Sequence, residues 1–135
     1  MWVHRDVNLP EALILAQRQG TLVVFAGAGV SLGPPSNLPS FDDLATQIAG
    51  GVEPRLSDEP LDRFLGRLAS RGTDVQTRAR QIIDNSTSQP KPLHRDLARL
   101  FSSPETVRLV TTNFDRHFTT ALAERFPGSV DTYVA

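Results

Sequence analysis

Leu22-Val23-Val24-Phe25-Ala26 is a short, continuous apolar run, rich in β-branched side chains and closed by Gly27. Such a run suits a strand buried on both faces of a parallel sheet. It leads straight into Gly27-Ala28-Gly29-Val30-Ser31. Glycine at 27 and 29 permits backbone angles and a close approach that side chains would block, so amide N–H groups can line up against a pyrophosphate. The plain alternative is a strand-to-helix turn that needs glycine only for its geometry, and spacing alone leaves the two open.

The rest of the chain alternates in a way that fits a parallel sheet. Between Asn8 and Gly20 the run Pro10 to Ala16 predicts a helix that follows a polar cap and stops at a glycine. After the Pro/Gly/Ser-rich loop from Gly33 to Pro39, Ser40 is a good N-cap, with Asp43 three residues on. Phe41, Leu44, Ala45 and Ile48 then share a helical face, and Gly50-Gly51 stops that helix. The same spacing recurs at Leu61, Phe64, Leu65 and Leu68, at Val75, Ala79, Ile82 and Ile83, and at Leu93, Leu97, Leu100 and Phe101. Val107 to Thr111 predicts a second strand, followed by a helix carrying Phe114, Phe118, Ala121 and Leu122 and ended by Pro127-Gly128. Val130 to Val134 could begin a third strand. The expected fold class is α/β, a parallel sheet with helices on both faces, in a single domain over residues 1–135. With so few strands visible, a domain continuing beyond these residues is expected.

Composition narrows the function classes. The 135 residues are 39% hydrophobic and 21% charged, as in globular proteins, and 14 basic against 15 acidic side chains give a net charge of -1. Neither sign forms a run, so nucleic-acid and membrane partners are not expected. The absence of cysteine removes disulfides, thiolate catalysis and cysteine-type zinc sites. His4, His94 and His117 are too scattered to predict a metal site. No signal-peptide core or membrane-length apolar run is visible, and a cytoplasmic location is expected.

A dehydrogenase-type dinucleotide fingerprint is not met. Gly33 comes one position late, Pro34, Pro35 and Pro39 prevent a long helix after the turn, and Asp42 and Asp43 read as first-turn acids of the next helix. No Gly-Lys-Ser/Thr follows for a P-loop. A second candidate is Thr111-Thr112-Asn113-Phe114-Asp115, at the carboxyl end of the second predicted strand, where open α/β sheets bind ligands. Asn113 offers a donor and an acceptor, and Asp115 a carboxylate able to orient hydroxyls. Alternatively, Thr112, Asn113 and Asp115 merely cap the following helix.

Taken in order, Gly27-Ala28-Gly29-Val30-Ser31, Leu38-Pro39-Ser40-Phe41 and Thr111-Thr112-Asn113-Phe114-Asp115 resemble the sirtuin superfamily. Its pattern is a Gly-Ala-Gly-x-Ser turn, an apolar-Pro-x-Phe segment and a Thr-Gln-Asn-x-Asp segment. Thr112 in place of glutamine is similar to the bacterial sirtuin-like, NAD⁺-consuming branch, and the resemblance spans about Leu22 to Leu122.

This resemblance implies a Rossmann-like NAD⁺ site. Gly27, Ala28, Gly29 and Ser31 would hold the phosphates and adenosine side, and Thr111 and Thr112 would be further cofactor-binding residues. Asn113 would position the nicotinamide ribose and the attacking nucleophile, and Asp115 would support that pocket. The implied chemistry is cleavage of the nicotinamide glycosidic bond, with water as acceptor in the sirtuin-like branch, often in anti-phage defence proteins, and acetyl-lysine in the deacylases. Deacetylases carry Asp-Phe-Arg where this chain has Ser40-Phe41-Asp42, and their four-cysteine zinc module has no counterpart here. The family's catalytic histidine lies in a His-Gly segment after the Asn-x-Asp motif, and no histidine follows His117. Poor or no turnover by these residues alone is therefore expected. His117 is expected to be solvated, His94 structural and His4 frayed. The alternative is a non-catalytic nucleotide-sensing or oligomerising module, its sheet edge covered by another copy or by further domains.

Overall fold

The computed structural model describes residues 2–4 and 7–133. They form two compact units, one built from the chain up to Gly27 together with the chain from Pro90 onward, the other from Ala28–Gln89. The architecture is α/β: mostly helical, with a small parallel sheet of two strands.

The first unit opens with a hairpin, β1 (Trp2–His4) and β2 (Val7–Asn8), antiparallel with Trp2 opposite Asn8. His4 therefore lies in a paired strand and not in a frayed end. Helix α1 (Glu11–Arg18) starts after Pro10, whose carbonyl accepts from the Leu13 N–H at 3.1 Å. None of its residues is buried.

Strands β3 (Val24–Ala26) and β4 (Leu109–Thr111) pair in parallel, with Val24 opposite Leu109 and Ala26 opposite Thr111. Side chains alternate across a strand, and only one face of this sheet is covered. Val24 and Leu109 pack on a core of Ala98, Phe101, Ala121 and Leu122. Phe25 and Val110 face the other way and are 78% and 46% exposed. The expectation of a strand buried on both faces fails here, because the two helices over 92–98 and 117–125 supply one layer only.

Helix α5 (Pro92–Ala98) begins on a proline, whose missing N–H costs nothing in a first turn. Its buried line is His94, Ala98 and, beyond the helix, Phe101, and not the predicted stripe through Leu93 and Leu100, which are 43% and 36% exposed. The line i, i+4, i+7 sets the small Ala98 among Ala121 and Leu122 of α6 (His117–Arg125). A bidentate ion pair between Arg95 and Glu124, at 2.7 and 3.0 Å, joins the same two helices. Helix α6 starts later than the pattern suggests, so Phe114 stays outside it and is 78% exposed. Gly128 (φ +70°) follows the helix. Residues 130–133 form no strand, and Val134 lies outside the described residues.

In the second unit a single 3₁₀ turn, Ala28–Ser31, leads through the proline loop to α2 (Phe41–Ala49). Ser40 caps α2 as expected: its Oγ accepts from the Asp43 N–H at 3.1 Å and donates to the Asp43 carboxylate at 2.6 Å. Gly50, at φ +58°, ends it. Helices α3 (Leu61–Ser70) and α4 (Val75–Ile83) complete the unit around Leu44, Ala45, Ile48, Phe64 and Leu68. Phe41, expected on this face, is 46% exposed, because a first-turn residue overhangs the end of the core. No helix among the described residues is long and apolar enough to cross a membrane.

Candidate functional site

The parallel pairing of β3 and β4 sets Gly27, the first residue of the glycine motif, beside the start of the second motif. Ala26 opposite Thr111 places Gly27 next to Thr112 at the carboxyl ends of adjacent strands, and the Thr112 N–H donates to the Ala26 carbonyl at 3.4 Å. This is where an open parallel sheet exposes strand-end backbone to a ligand.

Gly27 has no positive φ, and a Cβ added there would meet no atom within 4 Å. Gly29, in the second unit, is alike in both respects. Gly20 contrasts with them: φ is +67°, and a Cβ would sit 2.5 Å from Thr106 Cγ2. Gly20 is required by the fold, whereas at 27 and 29 neither backbone angle nor internal packing requires glycine. What glycine leaves there is open space beside backbone amides, the room a phosphate group needs for close approach.

At the end of β4, the Thr111 hydroxyl accepts from the Asn113 N–H at 3.0 Å. Asp115 Oδ1 accepts from the His117 N–H at 3.0 Å, so the carboxylate caps the start of α6. Capping thus accounts for part of what these residues do. Asn113 and Asp115 are both half-buried, while Thr111, Thr112 and Gly27 are exposed. A half-buried amide and carboxylate at a strand end are fixed in place and still reachable, which suits orienting the hydroxyls of a sugar. In the second unit, Ala28 and Gly29 are exposed, but Ser31 is 2% exposed and its carbonyl accepts from the Leu38 N–H at 3.1 Å.

His117 differs from expectation, while His94 is structural as expected. His117 is 7% exposed, not solvated, because the first turn of α6 faces α5. His94 is wholly buried, and its ring meets His117 edge-on with centroids 5.2 Å apart. Burial pushes the His94 pKa below its ordinary value and the neighbouring His117 adds to this, while the Asp115 carboxylate opposes it. The sequence carried one signal for this cluster: His94 lies on the same helical line as Ala98 and Phe101. Among the described residues no group of His, Asp or Glu could hold a metal ion.

No protein-family model, no curated protein and no solved structure matches the chain. A groove of about 1040 Å³ in the first unit runs between β4 and α6 past Val110, Leu122, Val130 and Tyr133. Of the candidate site residues, it is lined by Thr111 alone.

Proposed function

We propose that this chain is an NAD⁺-binding, Rossmann-like domain of sirtuin-like type, whose chemistry is release of nicotinamide from NAD⁺. The observation that carries this is the juxtaposition of Gly27 with Thr112, which begins the segment to Asp115, at the carboxyl ends of two parallel strands. The open space at the Cβ positions of Gly27 and Gly29 supports it. A role in bacterial anti-phage defence rests on the sequence resemblance alone.

NAD⁺ supplies the labile glycosidic bond to a cationic nicotinamide. The backbone amide of Gly27 would face its phosphates. The Asn113 amide would hold a ribose hydroxyl or a water. The Asp115 carboxylate, kept in place by the His117 N–H, would support Asn113 and place negative charge where positive charge develops during bond breaking. His117 packs its ring on His94 and is not presented to solvent as a base, so turnover by this chain is expected to be slow.

A proton NMR time course of NAD⁺ with the chain tests both binding and cleavage. The expected result is broadening of the NAD⁺ lines with slow appearance of free nicotinamide. Asn113→Ala should abolish the release and leave the circular dichroism spectrum unchanged, since residue 113 lies in the loop between β4 and α6, outside every helix and strand. Neither broadening nor release, from folded protein, would overturn the proposal. Broadening without release would favour a binding module that does no chemistry.

A further inference from the structure

His94 is a polar ring in a position where α5 otherwise buries Ala98 and then Phe101. Burying an imidazole is costly unless its polar atoms are bonded. Here Nδ1 accepts from the Lys91 N–H at 2.9 Å, at the start of α5. That bond puts the lone pair on Nδ1 and, in the neutral ring, the proton on Nε2. The helix that carries the residue thus bonds Nδ1, and the ring meets α6 edge-on.

Those edges meet the first two residues of α6. His94 contacts His117 at 5.2 Å and Phe118 at 4.8 Å between ring centroids, each with an interplanar angle of 69°, the edge-to-face geometry aromatic rings favour. His117 in turn donates its N–H to Asp115, and two residues earlier Asn113 donates its N–H to Thr111 of β4. The β4–α6 loop is therefore held at its strand end by Thr111 and at its helix end by the His117–Phe118 pair.

We propose that His94 is a positioning residue: through the rings of His117 and Phe118 it fixes the first turn of α6, and thereby the loop that carries Asn113 and Asp115. Its consequence for ligand handling rests on the NAD⁺ proposal above; its consequence for the loop does not. The charged and titratable groups around the ring are His117 and Asp115 from the α6 side and Lys91 from its own side, with the Arg95–Glu124 ion pair tying the same helices together. Protonating His94 would bury a positive charge in this packing, a cost that the Asp115 carboxylate only partly offsets. The folded state disfavours protonation of His94, so what the ring contributes is present above the ordinary histidine value of about 6.5 and is lost as the pH falls below it.

A pH titration of the ¹⁵N-labelled chain, followed through the imidazole resonances and the backbone amides, tests this without any substitution. The Asn113 and Asp115 amides are expected to move with the midpoint of the His94 ring, below 6.5, and NAD⁺ line broadening to weaken with that same midpoint. His94→Phe keeps a ring against His117 and Phe118 but removes the titration, so the loop amides should stop moving over that range and NAD⁺ broadening should lose its pH dependence. Loop amides that follow the His117 ring instead, or that titrate unchanged in His94→Phe, would overturn the positioning role. If His94→Phe does not fold, the wild-type titration decides alone. Amides that track His94 in a protein that never broadens NAD⁺ would uphold the positioning role and remove the NAD⁺ proposal.

Discussion

Gly27 and Gly20 should answer the same substitution in opposite ways. Gly27→Ala places a methyl group in open space at a backbone angle alanine can adopt, so stability should change by no more than about 0.5 kcal/mol. NAD⁺ line broadening should nevertheless be lost, because the methyl group fills the approach to the backbone amide. Gly20→Ala forces a left-handed residue into Thr106 and should cost at least roughly 1–2 kcal/mol, read by thermal or denaturant unfolding, with the strand ends untouched. Both motifs of the candidate site are legible in the sequence because each is local, a few residues whose chemistry does not depend on what packs beside them. What the sequence does not show is which glycines the fold itself needs, since that turns on φ and on Thr106, far along the chain. The burial of His117 is hidden for the same reason: its neighbour, His94, belongs to another helix.

At the scale of elements, arginines pin the connection between α2 and α3: Arg55 reaches Asp42 and the Glu59 carbonyl, Arg71 reaches Glu53, and Arg67 makes the most bonds of the three. Arg67 reaches from α3 to Glu59 at 2.7 Å, to Glu53 at 2.5 Å and to the Pro54 carbonyl at 3.1 Å. The Arg67 guanidinium holds the Glu59 carboxyl down at about 2, with the Leu56 N–H assisting. A carboxylate whose pKa is lower in the folded chain stabilises it fully above its unfolded value of about 4.5, and that contribution disappears as the pH falls toward 2. Arg67→Gln should therefore lower the melting temperature at pH 7, and the gap from wild type should narrow steadily between about pH 4.5 and 2 in thermal scans. A constant gap would mean that Arg67 acts through packing alone. The helices here were readable because their stops are local: Ser40 caps α2 and Gly50 ends it. The buried line of α5 was not, because His94 and Ala98 win over Leu93 and Leu97 only once α6 lies against them.

For the whole molecule, periodicity counts apolar faces without saying which of them share a core, and the sequence reads as one domain. The folded chain keeps two separate cores: Leu44, Ile48, Phe64 and Leu68 in Ala28–Gln89, and Ala98, Phe101, Ala121 and Leu122 beneath the two-stranded sheet. The partition falls between Gly27 and Ala28, inside the glycine motif, so that motif belongs to neither unit alone. Each core should then respond to its own cavity. Leu68, 1% exposed, and Leu122, 7% exposed, are each expected to lose about 2–5 kcal/mol on truncation to alanine. In native-state hydrogen exchange, Leu68→Ala should speed the amides of α2, α3 and α4 while those of β3, β4, α5 and α6 keep their wild-type rates, and Leu122→Ala should do the reverse. Acceleration spread evenly over both sets by either variant would mean that the two cores open as one cooperative body, and that mutations anywhere in Ala28–Gln89 loosen Asn113 as readily as mutations beside it.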